Sequence, residues 1–533
     1  MNDDEEAGQL VEARTQAEGL TRRSLMVATG LGAAVATAGV AFAQSGAAEE
    51  VEGTVASSPP PSAATAAKAV QSLRDPILRL SRETWKNAEL SMLEEISHQI
   101  HLREIEVQGF TVTSRQTSGY PTAFIAEWTQ GSGGPVVGFL PEYDALPGLG
   151  NAAEPRQTPG PKGLEAGHGC GHNVIGAGCT GAAFALKAMM QADGTPGTVR
   201  IYGCASEESQ GVKVYMVRDG YFDDCDVAIA FHPAPVAVTG AIKTAANDAI
   251  RVMFRGRTAH AGNTPWDGRS ALKAAELFGH GINLMREHIR PTARLHYIYE
   301  AAGVAPNVVP DFAQVWLTIR DVNRPQVEAM TEWASQVAAG AAMATQTEAE
   351  FLNYYGMWDL LPNDTMIGLM HRHMTAHGLQ WTDAEQAFAR GCQKEMGLPE
   401  TGLATEVLPV VGEITAGGST DIGDISYVTP VGLFGWPSLP QGVSLHTWPV
   451  TACGGMSIGD KASLDSATIM AGAGYDAMTS PDLLAAAKAD FVRRRGDVVY
   501  KPAITKDQTP FGLPAYMVKS AGDDRIAATE AEN

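Results

Sequence analysis

The chain has 533 residues, 44% apolar and 19% charged, a length and composition that suit more than one globular domain. With 60 acidic against 39 basic side chains it carries a formal charge of -21, which repels polyphosphate and argues against a nucleic-acid partner. Six cysteines in this length (Cys170, Cys179, Cys204, Cys225, Cys392 and Cys453) are too few for a disulfide scaffold, so most are expected to be small buried apolar groups.

Residues 1–43 read as a twin-arginine export signal rather than as fold. Arg22-Arg23 precede an uncharged Ala/Gly/Val-rich run that ends in Ala41-Phe42-Ala43, an A-x-A cleavage pattern. The expected location is therefore periplasmic or secreted, with no stable membrane insertion after cleavage. Residues 44–68 read as a Ser/Ala/Pro-rich linker. A first catalytic part is expected over 69–243. It opens with helical spacing through about Gly109, followed by short β-rich pieces and the buried strand Val136 to Leu140. That strand runs into Pro141-Glu142-Tyr143-Asp144. The stretch Gly167 to Asn173, G-H-G-C-G-H-N, precedes a Gly/Ala-rich helix. Two further strands end at Glu207-Glu208 and at His232-Pro233.

From about Thr244 the texture changes to two helices with about four alternating strands, which predicts an inserted α+β layer over 244–356. The catalytic part resumes over 357–510, with a helix from Gly459 to Met478. The last fifty or so residues read as polar and Pro-containing, and 511–533 as a tail.

Strand, helix, strand, each leaving a polar group at its C-terminal end, is the plan of a doubly wound α/β sheet, whose sites lie at those ends. The strand ends and late loops hold Cys170, His172, Glu207, Glu208, His232 and His446. Cys170 and His172 face one centre if the segment is extended, since residues i and i+2 point the same way. Thiolate, imidazole and carboxylate together suit divalent zinc, manganese, cobalt or nickel. On extended backbone Glu207 and Glu208 point to opposite sides. Glu208 is read as a ligand, with Cys170, His172, His232 and His446, and Glu207 as the general base and acid. Five ligands could hold two ions.

Several motifs recur in order: E-Y-D-A-L-P-G, G-H-G-C-G-H-N, S-E-E-S-Q-G with a downstream K-x-Y-M, F-H-P, T-A-H-A-G-N-T-P-W-D-G-R-S-A-L, A-P-N-V-V-P-D, G-S-T-D-I-G-D-I-S and H-T-W. The set resembles the metallo-amidohydrolase family of aminoacylases and auxin-conjugate hydrolases, and within it the B-type branch of the aminobenzoyl-glutamate hydrolases, over about residues 70 to 510. The resemblance implies a metallo-aminopeptidase-like α/β catalytic domain binding two divalent ions, with an inserted α+β lid that mediates homodimerisation. It implies a small-molecule amide as substrate, cleaved at the C–N bond of an N-acyl amino acid or an aminobenzoyl-glutamate-like conjugate. It places the family ligands on Cys170, His172, Glu208, His232 and His446, and the catalytic carboxylate on Glu207.

The same resemblance implies that His260 reaches a partner subunit's site to steady an oxyanion, that Asn307 and Arg320 contact substrate, and that Asp144 orients a ligand. His168 is left as a packing or supporting residue. The motif commonly ends C-G-H-D, and here Asn173 stands in the last place. Asn151 to Leu164 reads as an insertion at the pocket rim. A metallo-carboxypeptidase or dipeptidase on the same fold, and a non-catalytic solute-binding relative, are the alternative readings.

Overall fold

The computed structural model describes residues 59–415 and 418–510; the export signal, most of the stretch read as linker and the tail lie outside the described residues. Three helices open the fold: α1 (Pro61–Ser72), α2 (Arg74–Lys86) and α3 (Glu95–Val107). Residues 61–68, read as linker, are therefore helical. Pro61 starts α1, where its fixed φ and missing N–H suit the first turn, and Ser62, Ala66 and Val70 are buried at four-residue spacing.

The first sheet is built from β1 (Thr111–Ser114), β2 (Phe124–Gln130), β3 (Val136–Phe139), β4 (Gly197–Gly203), β5 (Val227–Ala234) and, much later in the chain, β12 (Val431–Pro437). Its order is β1-β2-β4-β3-β5-β12, with β4, β3, β5 and β12 parallel and the β1–β2 edge antiparallel. Strand β3 lies between β4 and β5, so the chain leaves it first to one side and then to the other. The crevice at the C-terminal ends of these strands is the switch point where open α/β sheets bind ligands. Helices α4 (His172–Asp193) and α5 (Val212–Arg218) make the two crossovers.

Strand β6 (Gly240–Lys243) leads to the inserted layer: β7 (Ala246–Arg255), α6 (Ala271–Met285), β8 (Arg294–Ala301), β9 (Phe312–Asp321), α7 (Arg324–Thr345) and β10 (Glu348–Met357). Its antiparallel sheet runs β10-β7-β9-β8, leaving β8 as an edge. Ile250, Val252, Phe254, Phe278, Val315 and Leu317 pack into a core separate from that of the first sheet. The fold is thus an α/β catalytic layer carrying an inserted α+β layer.

The remaining elements are α8 (Asp364–His377), α9 (Asp383–Glu395), β11 (Val411–Thr415), α10 (Ile422–Ser426), α11 (Trp448–Gly454), α12 (Ser457–Thr479) and α13 (Pro481–Arg495). Part of the polar C-terminal stretch forms helix α13. Ser480 caps it by accepting from Leu483 N, and Pro481 opens it. No helix among the described residues is long and apolar enough to cross a membrane.

Candidate metal centre

His232 sits on strand β5, but the other candidate ligands are aimed by left-handed turns rather than by extended strand. Cys170 precedes Gly171, whose φ of +81° turns the chain into α4, so that His172 is the first residue of that helix. A Cβ on Gly171 would lie 2.7 Å from Pro233 Cγ, which explains glycine here. After β4, Ser206 adopts φ +61° and Glu207-Glu208 sit in a turn. The two carboxylates therefore do not diverge as on extended backbone. Glu207 Oε2 lies 3.9 Å and Glu208 Oε1 3.8 Å from the same atom, His172 Nε2. His446 is a third left-handed position, at φ +59°, and its N–H donates to Gly169 O at 2.8 Å. Such backbone is held only where its surroundings over-determine it.

The imidazole protons are fixed by partners facing away from the centre. His172 Nδ1 donates to Asp144 Oδ1 at 2.8 Å, and His232 Nδ1 donates to Pro233 O at 2.8 Å. Each ring therefore turns a bare Nε2 inward. His232 Nε2 is 3.5 Å from Cys170 Sγ, and His446 Nε2 is 3.2 Å from Glu208 Oε1.

Two nitrogen or oxygen donors about 2.1 Å from one tetrahedral ion stand about 3.4 Å apart, close to these separations. His172 Nε2 is a buried atom without a hydrogen-bond partner, and His446 Nε2 and Glu208 Oε1 are buried atoms that face each other without a well-directed hydrogen bond, an expensive arrangement unless something else engages them. Cys170, His172 and His232 form one candidate ion-holding group, Cys170, Glu208 and His446 a second, and Glu142, His172 and Glu207 a third. The donors fit divalent ions.

The electrostatics point the same way. Burial pushes Glu207 well above the usual carboxylate range, and Glu142 and Glu208 add to it. Burial, then Cys170, raises Glu208 to about 7. Burial would pull His446 down, but Glu208 and Cys170 hold it up at about 11. Burial would likewise raise the Cys170 thiol, yet His232 and His446 bring it well below its ordinary value. A thiolate and crowded carboxylates in a largely buried site attract cations.

The structure brings Cys170, His172, Glu207, Glu208, His232 and His446 together, with Asp144 behind His172. Asp144 also accepts from Ser91 Oγ at 2.7 Å and from Glu208 N at 2.9 Å. His168 is turned away, with Nε2 donating to Thr84 O at 3.2 Å. Asn173 Nδ2 donates to Ser81 Oγ and to Gly454 O, both at 3.2 Å; a carboxylate could not donate to that carbonyl, so the amide fits this packing. In the stretch read as an insertion, buried Asn151 folds the loop on itself, donating to Ala152 O and Arg156 O and accepting from Thr158 N.

His260, Asn307 and Arg320 are not brought to the cluster. His260 and Asn307 are exposed neighbours on the inserted layer, with Ala261 N donating to Asn307 O at 3.0 Å. Arg320 lies on β9 opposite Asn247 and Arg294, and burial lowers its pKa.

One carboxylate at the centre is absent from the set that the sequence pattern singles out. Glu142 Oε2 is 3.5 Å from His172 Nε2. Its signal was its place at the end of a buried strand, two residues before Asp144.

A largely buried cluster of thiol, imidazoles and carboxylates able to hold divalent ions fits a metal-dependent hydrolase. Residues 142–533 match the family described as peptidase family M20/M25/M40, and the chain belongs to that family. It is 35% identical over 478 residues to the B-type subunit of p-aminobenzoyl-glutamate hydrolase of Escherichia coli (strain K12), covering 84% of this chain and 98% of that protein. It is 28% identical to the Xaa-Arg dipeptidase of Mus musculus, over 80% of this chain and 91% of the relative. Among solved structures, an aminobenzoyl-glutamate utilization protein from Klebsiella pneumoniae shares the fold with a TM-score of 0.51 at 18% identity, covering 75% of this chain and 97% of that one. The chain is a metal-dependent amidohydrolase of this family.

Proposed function

We propose that the enzyme cleaves the amide C–N bond of N-acyl amino acids or aminobenzoyl-glutamate-like conjugates, using two divalent ions (zinc, manganese, cobalt or nickel) held by Cys170, His172, Glu208, His232 and His446. The observation that carries this reading is the convergence of Glu207 and Glu208 on His172 Nε2 from one turn. Bound ions would polarise the amide carbonyl and acidify a water beside it. Glu207, raised by burial and like charge, suits a carboxylate that takes the proton from that water and delivers it to the leaving nitrogen. Asp144 holds the His172 ring and the Glu208 backbone in register for this. The similarity to the Escherichia coli relative, which spans nearly all of that protein, supports the substrate class.

The chain works, in this reading, as a homodimer through the inserted layer. Strand β8 presents an unpaired edge with Ile298 56% exposed, and Leu284 on α6 is 57% exposed. His260 Nδ1 accepts from Gly262 N and Asn263 N, which leaves Nε2–H as a donor for an oxyanion in the partner's site. Asn307 and Arg320 supply the substrate contacts. Export follows from Arg22-Arg23 and Ala41-Phe42-Ala43, and N-terminal sequencing of the exported protein tests it.

A dipeptidase is the second reading, favoured by the similarity to the mouse enzyme. Parallel assays of the metal-loaded protein on N-acyl amino acids, aminobenzoyl-glutamate and dipeptides separate the two. Turnover of the first two classes is expected; turnover of dipeptides alone would favour the second reading.

A further inference from the structure

Lys213 is a fully buried cation with two carboxylate partners from distant parts of the chain. Its Nζ lies 2.7 Å from Glu142 Oε1 and 2.5 Å from Asp421 Oδ1, and its backbone N–H donates to Asp421 Oδ2 at 3.1 Å. All three residues are at most 2% exposed. Glu142 leaves the end of β3, Lys213 sits on α5 after the Glu207-Glu208 turn, and Asp421 immediately precedes α10.

The pairing is unequal. Lys213 occupies one oxygen of Glu142, and the other, Oε2, faces His172 Nε2 at 3.5 Å. That nitrogen is buried and lacks a hydrogen-bond partner. One ammonium between two carboxylates leaves the trio one formal negative charge over. Were Asp421 absent, Lys213 would neutralise Glu142; with Asp421 sharing the ammonium, Glu142 keeps charge to offer inward. An isolated buried carboxylate is costly, so its charge needs a partner on that side too.

We propose that Glu142 is a further donor to the metal centre, giving one oxygen to the ion that His172 holds while Lys213 and Asp421 fix the other in place. This rests on the proposed two-ion reading and adds to its five ligands. The separation suits two donors on one ion, and the Lys213 clamp makes Glu142 a one-oxygen donor rather than a chelating one. Glu207, in the same candidate group, stays free for proton transfer.

The test uses the full chain loaded with Zn2+. Ion content is measured by mass spectrometry, ion affinity by competition with pyridine-2,6-dicarboxylate, and the thermal midpoint with and without metal. Glu142→Gln leaves Lys213 paired with Asp421 and is expected to bind Zn2+ at least ~10-fold more weakly, with a smaller metal-induced rise in midpoint and an unchanged metal-free midpoint. Should that variant not fold, Glu142→Asp, which keeps the charge for Lys213 but withdraws the oxygen by a methylene, is expected to show the same weakening. Wild-type affinity in the folded variant, with or without a lower metal-free midpoint, would overturn the proposal. Absence of Zn2+ from the wild type would instead overturn the metal-centre reading beneath it.

Discussion

Asp144 Oδ1 accepts from His172 Nδ1 at 2.8 Å while its other oxygen accepts from the backbone N–H of Glu208 at 2.9 Å. One buried carboxylate thereby positions two proposed ligands, one on the helix after β3 and one on the turn after β4. Burial would raise Asp144, but His172 outweighs it and holds the carboxyl low, at about 2. Asp144→Ala frees the His172 ring to rotate and is expected to weaken metal affinity by ~10–100-fold. Chelator competition measures this, and wild-type affinity in the variant would count against the role.

The parts of this arrangement visible in the chain were those that a strand end announces. Buried apolar runs before His232 and before Glu207 located the crevice, because in a parallel sheet the polar residue that ends such a run faces the switch point. What the run could not say was the conformation beyond it. Cys170 and His172 converge through a left-handed Gly171, and Glu207 and Glu208 through Ser206 at φ +61°, where regular extension would have sent the carboxylates apart. The clamp of Glu142, Lys213 and Asp421 joins positions up to 279 residues apart (421 − 142), and nothing local pairs them. The start of helix α1 was obscured because its Ala/Ser/Pro-rich composition resembles that of a linker.

The Gly171 turn gives a stability prediction. Gly171→Ala puts a Cβ 2.7 Å from Pro233 Cγ at a φ of +81°, and the expected cost is about 1–3 kcal/mol. Denaturant titration of the metal-free protein reads it. A variant as stable as the wild type would show that the turn relaxes freely.

Acid should destabilise the protein through histidines outside the proposed ligand set. Burial lowers His101 to about 3, and burial with Arg115 lowers His98 to about 4. His101 packs on Phe124 and Tyr143, and its Nδ1 meets Thr180 Oγ1 at 3.2 Å. Below pH 6.5 the unfolded chain binds protons on these rings and the folded one does not, so stability falls as pH drops from 6.5 toward 3. For His101 alone the loss reaches about 3 kcal/mol at about pH 4. His101→Phe should flatten the measured pH dependence by that amount, whereas an unaltered slope would contradict it.

The dimer proposal predicts a mass about twice that of the chain in light scattering. Ile298→Asp with Tyr299→Asp on the β8 edge should give monomers that keep their metal yet lose turnover, since His260 no longer reaches a partner's site. Monomers with full activity would remove His260 from the reaction.

In the proposed chemistry Glu207 moves protons while its neighbours hold metal. The most direct measurement pairs ion content with steady-state hydrolysis of an N-acyl amino acid for the wild type and Glu207→Gln. The expected result is equal ion content, with turnover lowered ~10²–10⁴-fold in the variant. Turnover near wild type at equal ion content would contradict that role for Glu207.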